Sequence, residues 1–424
     1  MSVLGIDFGA SYCTASYINP LNGKPDAVRF TSSGDGSVKV PSLIYVTQDG
    51  FHFGFQAYNQ LEEVSRMPIP KRLEYMPNFI PSIKRVLKPG ASEWFFNESF
   101  SHLKILSLFL DYIIKQSKAD CGNQYHIDKI VISHPVDFPA GKVDLLKEAL
   151  AHIGYNDVET IMEPIAAVKG FSINHKINEN EGILVFDFGG STIDVAYVQN
   201  VMGDFRVATE PKGNSKCGGQ DIDYLLYNHL RAKVLNEMGI DISAQGIVDQ
   251  ALLSSCRILK EKFSGPNNAY ETMVMLSVNN SQKSYPYRLS RDAFNAIIYP
   301  KVNEAIDVAN LVVQDVKKQG LPLDKVLLIG GSSQLTLIRE LLLGILDSHT
   351  SIETCGEKDI VVALGNIVSN PSECRFPPDE AIDEARWIHC KRCQSERCYH
   401  YVKKKGYHCV DCGWEGVNVV VVYN

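Results

Sequence analysis

No apolar run in this 424-residue chain approaches the roughly 18 residues that a membrane-spanning helix requires. The stretch 105–114 comes nearest to that pattern and is interrupted by Ser107 and Asp111. Nor does the sequence open with a basic segment followed by an apolar one, and Asp7 comes too early for a secretory leader. An excess of positive charge is missing too. With 42 Lys and Arg against 49 Asp and Glu, the chain carries −7, which excludes a protein that coats nucleic acid or anionic lipid along its whole length. Compositional bias is equally absent: 45% apolar, 21% charged, 31 Gly and 19 Pro rule out disordered, collagenous and coiled-coil classes. What remains is a cytoplasmic chain of two or three ordinary domains, with no membrane partner.

Eleven cysteines without a leader point to a reducing compartment, where thiols or metal ligands are expected rather than disulfides. Cys13, Cys121, Cys217, Cys256, Cys355 and Cys374 are scattered and read as small buried hydrophobes. Cys390, Cys393, Cys398, Cys409 and Cys412 instead crowd the end of the chain. Charge divides the same way: residues 384–424 hold seven Lys or Arg against four Asp or Glu, +3, leaving −10 for the rest.

The most informative pattern is an internal repeat at an offset of 180. Residues 4–18 (LGIDFGASYCTASYI) align with 184–198 (LVFDFGGSTIDVAYV), identical at six of fifteen positions, among them Asp7/Asp187, Gly9/Gly189 and Ser11/Ser191. Chance supplies about one such match. Each copy reads as an apolar strand, a tight Asp-x-Gly turn rich in small hydroxyl residues, and a second strand. Duplicated lobes of this kind leave a cleft with the two turns facing. Other segments fit an α/β layout. They are a strand over 128–134 ended by Pro135 and a helix carrying Val143, Leu146, Leu150 and Ile153, closed by Gly154. A further strand over 325–329 turns through Gly330-Gly-Ser-Ser333 into a helix over 335–346. Residues 371–386 have linker composition. The expected division is 1–180 and 181–370 as two lobes, 371–386 as linker and 387–424 as a separate module.

Glycine and small-hydroxyl turns after strands let backbone N–H groups approach a phosphate, and strand-end aspartates suit a hydrated Mg²⁺ above it. One Asp-x-Gly turn is ordinary hairpin chemistry; two equivalent copies with the turn at 330–332 favour phosphate binding. At this point the chain resembles the ATPase domain of the heat-shock protein 70 family, within the actin, hexokinase and chaperone superfold, over about residues 1–370. The resemblance is carried by Gly5-Ile-Asp-Phe-Gly-Ala-Ser-Tyr12, Val40-Pro-Ser42, Gly54-Phe-Gln-Ala57 and Ile83-Lys-Arg-Val-Leu87. It continues through 130–135 with Phe138, Glu163-Pro-Ile-Ala-Ala167, residues 186–194, Cys217-Gly-Gly-Gln-Asp-Ile-Asp223 and Gly330-Gly-Ser-Ser333.

The resemblance implies a two-lobed actin-like α/β ATPase, formed by duplicated ribonuclease-H-like lobes, that hydrolyses ATP to ADP and phosphate as a chaperone-related switch. It implies that Asp7 and Asp187 organise Mg²⁺ through water, that Glu163 holds the water, and that Lys84 positions it and neutralises charge on the γ-phosphoryl. Nucleotide contacts would come from Gly9, Ala10, Ser11, Tyr12, Gly189, Gly190, Ser191, Thr192, Asp194, Gly218, Gly219, Lys260, Ser264, Gly330, Gly331, Ser332, Gln334 and Asp359. By itself Lys84, beside Arg85 and Lys88, reads as a solvated basic face, and Glu163 before Pro164 as a charge at a helix start. His134 reads as structural. The chain departs from the family at Ala10, where a threonine is usual, at Arg257, where a glutamate is usual, and at Gln334, where an arginine commonly stacks on adenine. The family's peptide-binding domain and lid have no counterpart in residues 371–424. A polymerising actin-like scaffold and a small-molecule kinase of the same superfold are the alternative readings.

The final module has the spacing C-x₂-C-x₁₅-C-x₂-C in Cys390, Cys393, Cys409 and Cys412, which suits a four-thiolate structural Zn²⁺. Cys398, His389, His400 and His408 are spare donors. The stretch 399–407 alternates aromatic and basic residues; it reads as a zinc-ribbon hairpin with a solvated lysine face, and less favourably as a stacking surface for single-stranded nucleic acid. A ribbon of this kind, or a lobe surface, would contact an unidentified protein partner.

Overall fold

The computed structural model describes residues 2–368 except 21, 31–35, 66, 68–70, 72–73, 123–124, 244–247, 279–280 and 356–359. Of the C-terminal segment it describes only the backbone of short strands between 388 and 421. The chain is mixed α/β, built on two six-stranded sheets with the same strand order. In the first, the hairpin Val3–Asp7 and Tyr12–Ile18 lies at the centre, with Asp7 opposite Thr14. Val3–Asp7 runs parallel to Lys129–His134, and that strand parallel to Val158–Met162; Pro25–Ala27 and Lys39–Pro41 pair with Tyr12–Ile18. In the second, Gly182–Phe188 and Ile193–Val201 form the hairpin, with Asp187 opposite Asp194. Lys325–Ile329 and Ser351–Thr354 follow in parallel on one side, Asp204–Val207 and Lys212–Asn214 on the other. The offset of 180 seen in the sequence therefore persists in the register, residue for residue.

Continuous apolar runs explain why these strands sit at the sheet centres. Ile183, Leu184, Val185 and Phe186 are all shielded, as are Val326 to Ile329, because helices cover both faces. The helix expected around Val143 spans Ala140–His152, and Gly154 takes a positive φ just beyond it. The helix expected over 335–346 is shorter. A single 3₁₀ turn, Gly331–Gln334, precedes Thr336–Leu343, and the helix closes at Gly344, the residue with the lowest helical preference in that stretch apart from proline. Cys13, Cys217, Cys256 and Cys355 are buried thiols as expected, while Cys121 is half-buried and Cys374 lies outside the described residues.

The two sheets exchange helices. Glu163–Ser172, which follows the first sheet in sequence, packs through Ala166, Ala167, Val168 and Phe171 on Ile183, Val185, Leu327 and Ile329 of the second. Val361–Ile367, which follows the second sheet, returns to the first: Asn366 Nδ2 donates to the Ile6 carbonyl at 2.8 Å, and Ser16 Oγ donates to the Ala363 carbonyl. The two helices cross where both carry glycine. A Cβ at Gly365 would lie 1.7 Å from the Ala166 carbonyl oxygen, and one at Gly170 2.0 Å from that of Val361.

Smaller units sit on each sheet. On the first are a three-stranded sheet of Gly50–Phe53, Ile44–Thr47 and Phe79–Ile80, the helix Phe55–Ser65 and the hairpin Ser92–Phe95 with Glu98–Ser101. On the second are Gly219–Met238, Gln250–Lys262, the long hairpin Ala269–Val278 with Ser281–Ser290, and the helix Arg291–Lys318. Near the end of the chain, Cys398–Tyr401 pairs with Gly406–Cys409, which pairs with Glu415–Gly416, and Ile388–His389 pairs with Val420–Val421. No helix among the described residues is long and apolar enough to cross a membrane.

Because backbone meets backbone at the crossing, no side-chain rotation makes room there. Gly365→Val and Gly170→Val are each expected to cost about 3 kcal/mol or more, the severe end of overpacking, read from urea or thermal unfolding.

Candidate nucleotide site

The two Asp-x-Gly turns face one another across the cleft. A Cβ on Gly190 would sit 2.3 Å from Ser11 Oγ, so only glycine lets the second turn come this near the first. Three successive carbonyls of the second turn are each engaged. Gly189 O accepts from Gly219 N and from Ser332 Oγ, both at 3.0 Å; Gly190 O accepts from Gln220 N at 2.7 Å; Ser191 O accepts from Arg85 Nη2 at 2.6 Å. In a trans peptide the N–H points opposite to the C=O. The N–H groups of Gly190, Ser191 and Thr192 therefore each point away from the partner of the preceding carbonyl, and none has an acceptor among the described residues. Three successive unpaired donors form an anion cradle. The first turn is braced the same way, with Gly9 O accepting from Ser42 Oγ at 2.7 Å and Ser11 O from Ser42 N at 2.9 Å. Ser11 Oγ and Ser191 Oγ are enclosed without a hydrogen-bond partner.

Acidic groups converge beneath these turns. Glu163 is the first residue of its helix, where the dipole favours a carboxylate, and its Oε1 lies 2.6 Å from Lys84 Nζ. Lys84 is not a solvated surface residue: its side chain is 11% exposed and faces the acids from the one-turn helix Ile83–Val86. Asp7 accepts a 3.4 Å bond from Ser133 Oγ, and Asp194 a 2.9 Å bond from Thr192 Oγ1. Asp7, Asp187 and Asp194 are half-buried. That burial, followed by repulsion from Glu163, pushes Asp7 up to about 7 and Asp194 to about 6, and holds Asp187 well above the ordinary carboxylate range. Burial pulls Lys84 downward, but Glu163, with Asp7 and Asp194, outweighs it and the ammonium ends above its usual value. Several acids thus share one lysine, a shortage of positive charge that a hydrated divalent cation relieves. Among the described residues no three His, Cys, Asp or Glu side chains come close enough to hold a metal directly. The donor set therefore fits an ion that keeps its waters, as Mg²⁺ does. A cavity of about 30 Å³ opens behind Glu163, Asp187 and Asp194, against Pro135 and Pro211. It has room for about two waters.

The remaining residues expected from the sequence lie further along the cleft. Gly218 and Gly219 start the helix Gly219–Met238 against the second turn, and Gly330, Gly331 and Ser332 come beside it. Lys260 is 8% exposed, lies 2.8 Å from Asp223 Oδ1, and donates to Gly219 O at 2.9 Å. Ser264 is exposed past the end of its helix, Gln334 Nε2 donates to Ser333 Oγ at 3.2 Å, and Asp359 lies outside the described residues. Arg257 crosses the cleft: its guanidinium is 5.2 Å from the Tyr12 ring centre and donates to the Tyr12 hydroxyl, while Nε donates to Glu261 at 3.1 Å. Ala10 sits half-buried in the first turn. Cys390, Cys393 and Cys412 lie outside the described residues; Cys409 ends a strand.

Sequence reasoning did not single out Arg85, nor Thr14, which stands at the position of Asp194 in the first copy and whose enclosed Oγ1 has no partner. The repeat alignment contained the signal for Thr14. For Arg85 there was none beyond its neighbour Lys84.

A carboxyl raised by folding costs stability once it ionises, so the cost at Asp7 is absent below its unfolded value of 3.8 and grows as pH rises toward 7. Asp7→Asn, without ligand, is expected to melt several degrees above the parent at about pH 8, and the gap should narrow toward about pH 5. Differential scanning fluorimetry across that range checks it. The same variant should lose affinity for Mg²⁺-nucleotide.

The family model for Hsp70 protein matches residues 80–370, which includes Lys84, Glu163, the second phosphate turn and the Gly330 turn. The match covers well over half of the sequence, and the doubled register links the first turn to the second. With its paired phosphate turns and carboxylate floor, the chain belongs to the Hsp70 family and carries that family's actin-like, ATP-binding ATPase domain.

Proposed function

We propose that the protein hydrolyses ATP slowly and uses the cycle to open and close its cleft, acting as a chaperone-related conformational switch. The observation that carries this reading is the anion cradle above a Lys84–Glu163 pair, since phosphoryl transfer depends chiefly on alignment and charge stabilisation. The Gly190, Ser191 and Thr192 N–H groups bind phosphate oxygens without losing other bonds. Glu163 accepts a hydrogen bond from water entering through the cavity behind it and orients that water toward phosphorus. The Lys84 ammonium, kept protonated by its acidic neighbours, stabilises charge that grows on the γ-phosphoryl. Asp7 and Asp187 would hold a hydrated Mg²⁺, which when bound supplies charge neutralisation on the phosphates. Lys260 supports the site indirectly, by fixing Gly219 O through its pair with Asp223.

The C-terminal cysteines extend the proposal to a structural zinc on Cys390, Cys393, Cys409 and Cys412, in a module that meets a protein partner. The paired strands Cys398–Tyr401 and Gly406–Cys409, which fall between the two C-x₂-C pairs, support it. So short a segment holds too few aliphatics for its own core and needs a staple.

Lys84→Ala should slow single-turnover hydrolysis by about 10²-fold while changing nucleotide affinity little. An unchanged rate removes Lys84 from the mechanism, and calorimetry that detects no adenine nucleotide sinks the whole reading. For the tail, native mass spectrometry should find one Zn²⁺ per chain, absent in Cys393→Ser, with ATP turnover of that variant close to the parent's.

A further inference from the structure

The helix Ile83–Val86 has one turn, and its two central side chains diverge by about 100°. Lys84 reaches Glu163 within the same lobe. Arg85 goes the other way, across the cleft, and its Nη2 donates to the Ser191 carbonyl of the opposite lobe at 2.6 Å. That carbonyl differs from its neighbours. Gly189 O and Gly190 O are held by donors of their own lobe: the first N–H groups of Gly219–Met238 and the Ser332 hydroxyl. Ser191 O is held from the first lobe. The orientation of the Ser191–Thr192 peptide, and with it the Thr192 N–H, accordingly depends on the lobes being together.

We propose that Arg85 is a positioning residue for hydrolysis, fixing the Ser191–Thr192 peptide so that the phosphate cradle is completed only when the Lys84 helix is in place. Arg85 touches neither substrate nor reacting atoms; it acts through the cradle and through the shared helix. One four-residue turn thereby delivers the charge-stabilising lysine and closes the cradle in the same movement. An open cleft has neither, which keeps bound ATP intact until the lobes meet. This inference rests on the ATP-hydrolysis reading of the same site.

The test uses the full chain in single-turnover hydrolysis of radiolabelled ATP, with ATP and ADP affinities from calorimetry. Loss of one charge-assisted hydrogen bond predicts that Arg85→Ala hydrolyses about 10-fold more slowly. Its nucleotide affinities should stay within about threefold, and its melting temperature should lie close to the parent's, since Arg85 itself is exposed. Arg85→Lys retains one charged donor and should recover most of the rate. The double variant Lys84→Ala/Arg85→Ala should be no slower than Lys84→Ala, because Arg85 works by setting what Lys84 meets. A rate for Arg85→Ala within twofold of the parent, a loss confined to affinity, no rescue by lysine, or fully multiplicative losses each overturn the inference. A parent that binds ATP without hydrolysing it sinks the hydrolysis reading itself, whatever Arg85 does.

Discussion

Asp7, Glu163, Asp187 and Asp194 crowd one cleft floor around the single ammonium of Lys84, and this charge imbalance governs how the rest of the molecule is arranged. Burial, and after it the repulsion from Glu163, raises Asp7, Asp187 and Asp194 above the ordinary carboxylate range. Such a floor is tolerable only where rigid sheets hold the groups in place and where a ligand brings compensating positive charge. Both conditions follow from the fold. Each of the two strand-end aspartates projects from the centre of a sheet whose strands are shielded on both faces. The stability lost to the acids is the ordinary cost of a site built for binding.

The exchange of helices explains how two such sheets remain aligned while the cleft between them can still change. Glu163 belongs to the helix that leaves the first sheet and packs on the second, so the carboxylate paired with Lys84 is attached to both. The glycine crossing of that helix with Val361–Ile367 brings backbone against backbone and leaves no slack beneath the site. Away from this crossing the lobes touch through a few polar bridges. Arg85 on Ser191 and Arg257 on Tyr12 are two of them, and both use long side chains that release without disturbing a core.

The second turn offers backbone rather than side-chain donors. The carbonyls of Gly189, Gly190 and Ser191 are each engaged, the N–H groups that follow them have no acceptor among the described residues, and the donors that hold those carbonyls come from three separate elements. The departure at Ala10 removes a hydroxyl from the first turn, whereas Ser11 keeps an enclosed and unpartnered one beside Gly190. Arg257 replaces an acid with a cation at the cleft edge and stacks on Tyr12.

Much of this was legible in the linear pattern. The repeat at 180 predicted the paired hairpins, the facing turns and the equivalence of Asp7 with Asp187, because strand–turn–strand units depend on neighbours in sequence. The strand Lys325–Ile329 and the helix around Val143 were visible for the same reason, as apolar periodicity between turn residues. Composition alone read Lys84 wrongly, as a solvated charge, since burial by residues 79 positions away leaves no local trace. The pairing of Lys260 with buried Asp223 was invisible until the helices Gly219–Met238 and Gln250–Lys262 were packed together. Arg85 had no signal at all, for its partner carbonyl lies 106 residues on. The sequence by itself determined the doubled strands, the paired Asp-x-Gly turns and the cysteine spacing, because each is written within a few consecutive residues. Only the tertiary structure decided the helix exchange, the enclosure of the acids and the bonds across the cleft, because these depend on which distant surfaces exclude water together.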